Sequence, residues 1–440
     1  MKLHIKNIAK IKEAEIAVDG ITVIAGENNT GKSTVGKVLF SLFDAFYDIE
    51  TKIDAQRLAR VEMGMRLFEY EIRALDAKKS NEPMPSKEAI DNLKRSVVET
   101  FKEANGLTVN GMLALYEQVI EEGSKQHNYS TVAQHFKSTA KKLVDYLAIP
   151  RERVVQEIIE EEFDSVFDSQ VNSMSTPESK GKVSITIKGL ENLVEFSYNM
   201  CTKQQTKISI QNKAILIDDP SILGRLELIS YLGKERMYSS SIGNVKEFRL
   251  VDSLTAKGSS QPGASAVERV RQKDKLNEVF AIINKATEAT VNCENGRYKI
   301  REKGTKYDIK PNNISYGLRT FIIIKMLLEN GSINDKDILI LDEPEIHLHP
   351  QWQILFAQLI VLLQKQFELS VVVTTHSPYF MEAVALYTRL YETDKTTRFY
   401  LSELVKNRAI MSDVTGDLEK IYKKMAEPYK ILDAVAAKLQ

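Results

Sequence analysis

Gly26-Glu27-Asn28-Asn29-Thr30-Gly31-Lys32-Ser33 decides the fold. It fills the pattern G-x-x-x-x-G-K-[ST] at every defined position. Ahead of it, Ile21-Thr22-Val23-Ile24-Ala25 reads as a short buried strand. Behind it, Thr34-Val35-Gly36-Lys37-Val38-Leu39-Phe40 reads as a helix. Strand, glycine-rich loop and helix form the context that a phosphate-binding loop needs. Gly26 and Gly31 let the backbone curl with its N–H groups inward, and the helix start adds its positive dipole end. Lys32 supplies an ammonium for the β- and γ-phosphates of a nucleotide, and the Ser33 hydroxyl suits Mg²⁺. The phosphate contacts are expected from Gly26, Asn28, Asn29, Thr30, Gly31, Lys32, Ser33 and Thr34. A chance Gly/Asn-rich turn is the plain alternative; the flanking strand and helix weigh against it.

Bulk composition sets wide bounds. The chain has 440 residues, of which 43% are hydrophobic and 27% charged, ordinary for a globular protein of two or three domains or one domain with an insertion. Its formal net charge is zero, which gives no global argument for nucleic acid and none against a local basic patch. Two cysteines, Cys201 and Cys293, make neither a disulfide framework nor a metal cluster, and read as small apolar residues in a reducing compartment. The opening Met1-Lys2-Leu3-His4-Ile5-Lys6 alternates like a strand rather than a secretory signal, and no apolar run is long enough to span a bilayer. A cytoplasmic location without membrane contact is expected.

Residues 1–25 read as strands with a turn at Asp19-Gly20. From about Phe46 the chain becomes charged and helical in period. Val61, Met65, Phe68, Ile72 and Leu75 form one stripe and Ile90, Leu93, Val97 and Phe101 a second, separated by Asn81-Glu82-Pro83-Met84-Pro85. Either a short interaction arm or plain bundle core fits them. Four short runs, 183–187, 193–196, 207–210 and 214–217, suit an antiparallel sheet. A helix over Ala266–Ala289 and a hairpin over Thr290–Ile309 follow.

The remaining chemistry lies in the last third. Ile338-Leu339-Ile340-Leu341-Asp342-Glu343 is a buried strand ending in two carboxylates, at the sheet edge where ligands bind. Asp342 is expected in the Mg²⁺ shell and Glu343 as the general base toward water. Val371-Val372-Val373-Thr374-Thr375-His376-Ser377-Pro378 ends a second buried strand in a histidine, expected near the γ-phosphate as sensor or proton handler. Asn313-Ile314-Ser315-Tyr316-Gly317-Leu318-Arg319 opens an apolar helix, whose N-terminus can be an anion site or an ordinary cap.

In this order the motifs resemble the ABC-type ATPases of the SMC-like, recombination-mediator-like and overcoming-lysogenization-defect group. Asp342-Glu343-Pro344-Glu345-Ile346-His347-Leu348-His349-Pro350 with Gln351-Trp352-Gln353 is especially similar, as is the opening from Ile5-Lys6-Asn7 to Gly26. The resemblance covers roughly 1–45 and 310–385, and 185–240 loosely. It implies an α/β fold: an ABC-type P-loop ATPase head, a mixed sheet plus an antiparallel β subdomain, with a helical insertion. The expected division is 1–45 and 261–390 for the two parts of the head, 46–160 for the insertion, 161–260 for the antiparallel part, and 391–440 for a strand and helix tail.

The resemblance further implies ATP and Mg²⁺ as cofactors and a homo-oligomer built on head-to-tail dimers. Ser315 and Gly317 would then contact ATP on the partner copy, and residues 345–350 would line the junction, with His347 and His349 structural rather than metal-binding. Two features depart from the group: Tyr316 stands where Gly or Ser is usual, and the Mg²⁺-sensing glutamine is unplaced, with Gln156 and Gln170 both open. The stretch after His376 is too short for the group's nuclease domain. The chain is therefore similar to the ATPase subunits of anti-phage systems such as Septu, PARIS and the retron-linked ATPases, where a separate nuclease or toxin is the effector. The alternative is an SMC-like repair or recombination ATPase that binds DNA directly, with Arg269, Arg271, Lys273 and Lys275 as candidate contacts.

Overall fold

The computed structural model describes residues 1–77, 84–104, 106–121, 129–176, 178–230, 245–256, 266–294 and 297–438. They form two compact units, one of Met1–Tyr47 with Ile158–Gln440 and one of Asp48–Glu157.

The larger unit opens with β1 (Lys2–Ile8), β2 (Ile11–Ala17), β3 (Ile21–Gly26) and α1 (Lys32–Phe46). β3 is buried on both faces, which is why it reads as a continuous apolar run.

The smaller unit follows, built from α2 (Ile49–Ala77), α3 (Lys87–Ala104), α4 (Val109–Tyr116) and α5 (Ser130–Leu147). Both apolar stripes enter one core: Val61, Met65, Phe68 and Ile72 pack with Leu93, Val97 and Phe101. Phe136 joins them, edge-on to Phe68 at 5.2 Å and stacked on Tyr116 at 5.1 Å. Thr108 caps α4 by accepting from the Gly111 amide. The 29 residues of α2 give a rod of about 44 Å at ~1.5 Å per residue.

α6 (Arg151–Phe167) leads back to β4 (Gly181–Ile187), β5 (Leu190–Ser197), β6 (Met200–Gln205) and β7 (Ala214–Ile217), then α7 (Val245–Thr255) and α8 (Ala266–Ala286). β8 (Thr290–Glu294) and β9 (Arg297–Arg301) form a separate hairpin. The last third runs α9 (Tyr316–Glu329), β10 (Ile338–Asp342), α10 (Pro350–Phe367), β11 (Ser370–Thr375), α11 (Pro378–Leu390), β12 (Arg398–Val405), β13 (Arg408–Asp413), α12 (Glu419–Met425) and α13 (Glu427–Ala436).

One eleven-stranded mixed sheet carries this unit, in the order β6-β5-β4-β1-β2-β13-β12-β3-β11-β10-β7. β12, β3, β11, β10 and β7 run parallel, so Gly26, Asp342 and Thr375 reach the same sheet edge. The core lies around these strands and α9, α10 and α11.

Three expectations need correction. No strand forms over 207–210; Ile210 makes only an isolated bridge to Tyr47. The Asn192 side chain accepts from the Lys207 and Ile208 amides and so replaces a ladder there, while the strand forms earlier, at β6. β7 is not antiparallel: it pairs parallel with β10. The antiparallel strands join the same mixed sheet, since β4 pairs with β1. The C-terminal stretch supplies two strands rather than one, and they sit between β2 and β3.

Cys201 is buried, and burial pushes its thiol up to about 12, as for an inert apolar residue. The Cys293 side chain lies outside the described residues. Among the described residues, no helix is long and apolar enough to cross a membrane.

Candidate active site

The loop between β3 and α1 is held from below by β12. Ser402 donates its hydroxyl to the Thr30 carbonyl at 2.7 Å, and a Cβ on Gly26 would fall 2.4 Å from the Ser402 carbonyl oxygen. The loop can pass this close to the sheet only with glycine at 26. Asn29 and Gly31 take left-handed φ values of 64° and 84°, which turn successive amides the same way. Thr30 closes the curve by donating to the Glu27 carbonyl at 2.8 Å. Asn28 and Asn29 are exposed at its rim; Ser33 and Thr34 lie in the first turn of α1.

Lys32 is 3% exposed. Its ammonium donates to the carbonyls of Gly26 at 3.0 Å and Glu27 at 2.8 Å and pairs with Glu343 Oε1 at 3.2 Å. Glu343 carries φ 46°, uncommon for a non-glycine residue and a cost of about 1–2 kcal/mol. The turn is held by its own amide, which donates to the Thr374 hydroxyl at 3.0 Å. It aims the carboxylate back toward the loop, where Oε2 stands 3.5 Å from His376 Nδ1.

Asp342 accepts from the Thr374 hydroxyl at 2.5 Å and from the Ser33 side chain. Burial pushes its carboxyl above the ordinary range; the two hydroxyls partly offset this, and Glu343 and Asp218 add to it. The Asp342 carboxylate facing the Ser33 hydroxyl would suit a divalent cation that takes its remaining ligands from phosphate and water.

The helix start at α9 is placed differently. Ser315 is exposed at the N-cap and its side chain makes no capping bond. Gly317 is buried, and a Cβ there would meet the His347 carbonyl at 2.7 Å. Tyr316 donates its hydroxyl to Asp219 at 2.8 Å, and its ring lies edge-on to His347 at 4.2 Å. Burial and Asp219 raise the phenol to about 12. Tyr316 and Gly317 line a hollow of about 60 Å³ together with Asp218, Asp342, Glu343 and His347. The structure thus brings Gly26–Thr34, Asp342, Glu343 and His376 together, with Gly317 nearby, and leaves Ser315 outside that group.

Other candidates are accounted for by structure. His349 accepts from the Gln351 amide at the start of α10. Among the described residues, no three or more His, Cys, Asp or Glu side chains gather as a metal cluster. Gln156 falls in the Asp48–Glu157 unit and Gln170 is exposed beyond α6. Lys275 pairs with Asp335 at 3.4 Å and stands over the Phe367 ring; the side chains of Arg269, Arg271 and Lys273 lie outside the described residues. The motifs do not mark Glu27, Asp218 or Thr374 as site residues, and place Glu345 only in the stretch expected at the dimer junction. Thr374 and Glu345 were visible inside quoted motifs, but no spacing rule marked them.

A parallel sheet with a glycine-rich phosphate loop, a buried lysine and an aspartate-glutamate strand end defines a P-loop nucleotide-binding protein. The chain belongs to the AAA ATPase domain family, whose profile matches residues 1–381. It is also similar to solved SMC heads. The SMC head domain from Thermotoga maritima is 12% identical, with 94% of this chain and 98% of that one covered and a TM-score of 0.36. The Smc head domain with an extended coiled coil bound to the C-terminal domain of ScpA, from Pyrococcus furiosus, is 11% identical, with 99% and 98% covered and a TM-score of 0.40. An SmcHead bound to the C-winged helix domain of ScpA is 11% identical, with 96% and 98% covered and a TM-score of 0.41.

Proposed function

We propose that this chain is a Mg²⁺-dependent ATPase head that pairs with a second copy across ATP and serves as the sensor or scaffold subunit of an anti-phage complex with a separate effector. The observation that carries the ATPase reading is the Lys32–Glu343–His376 chain, which ties the phosphate loop to the ends of β10 and β11. In this mechanism the amides of Gly26–Thr34 receive the phosphates. Lys32 exchanges Glu343 for phosphate oxygens. Glu343, still beside His376, then accepts a proton from water as the water oxygen attacks the γ-phosphorus. The bond to the β–γ bridging oxygen breaks, giving ADP and phosphate. Ser33 and Asp342 would hold Mg²⁺, which offsets phosphate charge when bound.

Pairing of heads follows from the Ser315-Tyr316-Gly317 helix start, whose exposed Ser315 would serve ATP on the partner copy. The defence role is proposed from the likeness of residues 342–353 to the SMC-like and overcoming-lysogenization-defect group, to which the ATPase subunits of anti-phage systems are similar. Direct DNA clamping is the competing reading; zero net charge and the engagement of Lys275 with Asp335 and Phe367 favour the scaffold.

The test is the mass of purified Glu343→Gln protein alone, with ATP, and with ATP and duplex DNA. An ATP-dependent dimer or larger oligomer that is indifferent to DNA is expected. Assembly only on DNA would replace the scaffold reading with the clamp.

A further inference from the structure

We propose that Glu345 is a positioning residue that fixes the His376 ring against Glu343, a role that builds on the ATPase reading above. Glu345 is 1% exposed, although it sits in a turn between Asp342 and α10 whose neighbours Ile346 and His347 are exposed. Its Oε1 accepts from the Thr375 hydroxyl and from the His376 amide at 3.1 Å, and lies 3.9 Å from His376 Nδ1. The same Nδ1 is 3.5 Å from Glu343 Oε2. One carboxylate therefore holds the backbone of His376 and stands beside its ring.

Burying a carboxylate among so few donors is costly. Its second oxygen, Oε2, has no hydrogen-bond partner among the described residues. Packing alone would be served better by an apolar side chain, so the acid is retained for its contacts. The segment is braced from the other side as well. Gln353 donates to the carbonyls of Glu345 at 3.4 Å and Leu348 at 3.0 Å and accepts from the Ser377 hydroxyl at 2.6 Å. Thr375 Oγ1, which donates to Glu345, also accepts from the Ser377 amide at 3.0 Å. The turn after β10 and the end of β11 are thus locked as one piece, and His376 is the side chain they hold toward the phosphate loop.

The chemical consequence is a chosen tautomer. With Nδ1 facing two carboxylates, that nitrogen carries the hydrogen and Nε2 is left as the outward nitrogen. A ring so held keeps Glu343 oriented after Lys32 has moved to phosphate.

The experiment compares the wild type with Glu345→Ala, Glu345→Leu and Glu345→Gln, reading steady-state ATP turnover and the ring nitrogen shifts of ¹⁵N-histidine-labelled protein. His376 is assigned by its loss in His376→Gln. Gln retains an acceptor oxygen, so kcat within about threefold and an unchanged His376 tautomer are expected. Ala and Leu should lower kcat by about tenfold or more, with KM for ATP within about threefold, and should release the ring from Glu343 as well, moving His376 toward the ordinary Nε2-protonated form. Leu fills the site and tests the same contact if Ala does not fold. Unchanged ring shifts, or kcat within about twofold in a folded Ala or Leu variant, would overturn the role. The ring shifts are read without nucleotide, so they test Glu345 even if the wild type hydrolyses no ATP, an outcome that would count against the ATPase reading instead.

Discussion

Lys32 Nζ stands 3.2 Å from Glu343 Oε1, so the cation expected to bind phosphate and the acid expected to activate water neutralise each other across the loop. Phosphate oxygens compete for the same ammonium. In the proposed mechanism, binding of ATP and release of Glu343 as general base would be one event, which would keep Glu343 occupied until substrate is present.

Lys32→Ala removes the central cation of the loop. Charge-assisted bonds to phosphate contribute about 1.5–3 kcal/mol each, so ATP affinity should fall by more than about tenfold. Titration with a fluorescent ATP analogue checks this.

Gly317→Ala places a methyl 2.7 Å from the His347 carbonyl. The clash should cost about 1–3 kcal/mol, seen as a lower midpoint in urea. Because His347 borders the hollow beside Asp342 and Glu343, turnover should drop more than ATP binding does.

Tyr316→Phe removes a donor to Asp219. Burial raises the Asp219 carboxyl, but the Ser221 and Tyr316 hydrogen bonds and Arg225 win and hold it below the ordinary range. A depressed carboxylate contributes stability that is present above the unfolded pKa and lost as pH falls through the folded one. The variant should therefore be less stable by about 1 kcal/mol near neutrality, since Asp219 is partly solvated. The difference should narrow as pH falls through the carboxylate range, as measured by urea unfolding at several pH values.

Phe136→Ala empties the aromatic centre of the Asp48–Glu157 unit, beside Phe68 and Tyr116. A loss of about 3–5 kcal/mol is expected for that unit. Calorimetry should show one transition moving down while the transition of the sheet-bearing unit stays in place.

Local signals carried most of the site. The phosphate loop, the apolar strand ending at Asp342 and the strand ending before His376 each announce themselves within a few residues, because a buried parallel strand is a run of Val, Ile and Leu. Long-range pairing was not legible. Nothing near Ala214 tells that its strand joins β10 in parallel, or near Arg398 that its strand enters the sheet beside the phosphate loop. The lost strand at 207–210 turned on one asparagine side chain, a contact that periodicity does not encode. Glu345 belongs to the 345–350 stretch expected at the dimer junction, and only the fold shows it buried against Thr375.

The central claim is that Glu343 is the base and Lys32 the phosphate anchor of one ATPase site. The most direct measurement is ATP affinity and single-turnover hydrolysis in Glu343→Gln beside the wild type. The account predicts ATP affinity equal to or tighter than wild type, since Lys32 is freed from an acid, with hydrolysis slowed by about 100-fold or more. Hydrolysis at the wild-type rate in Glu343→Gln would contradict it.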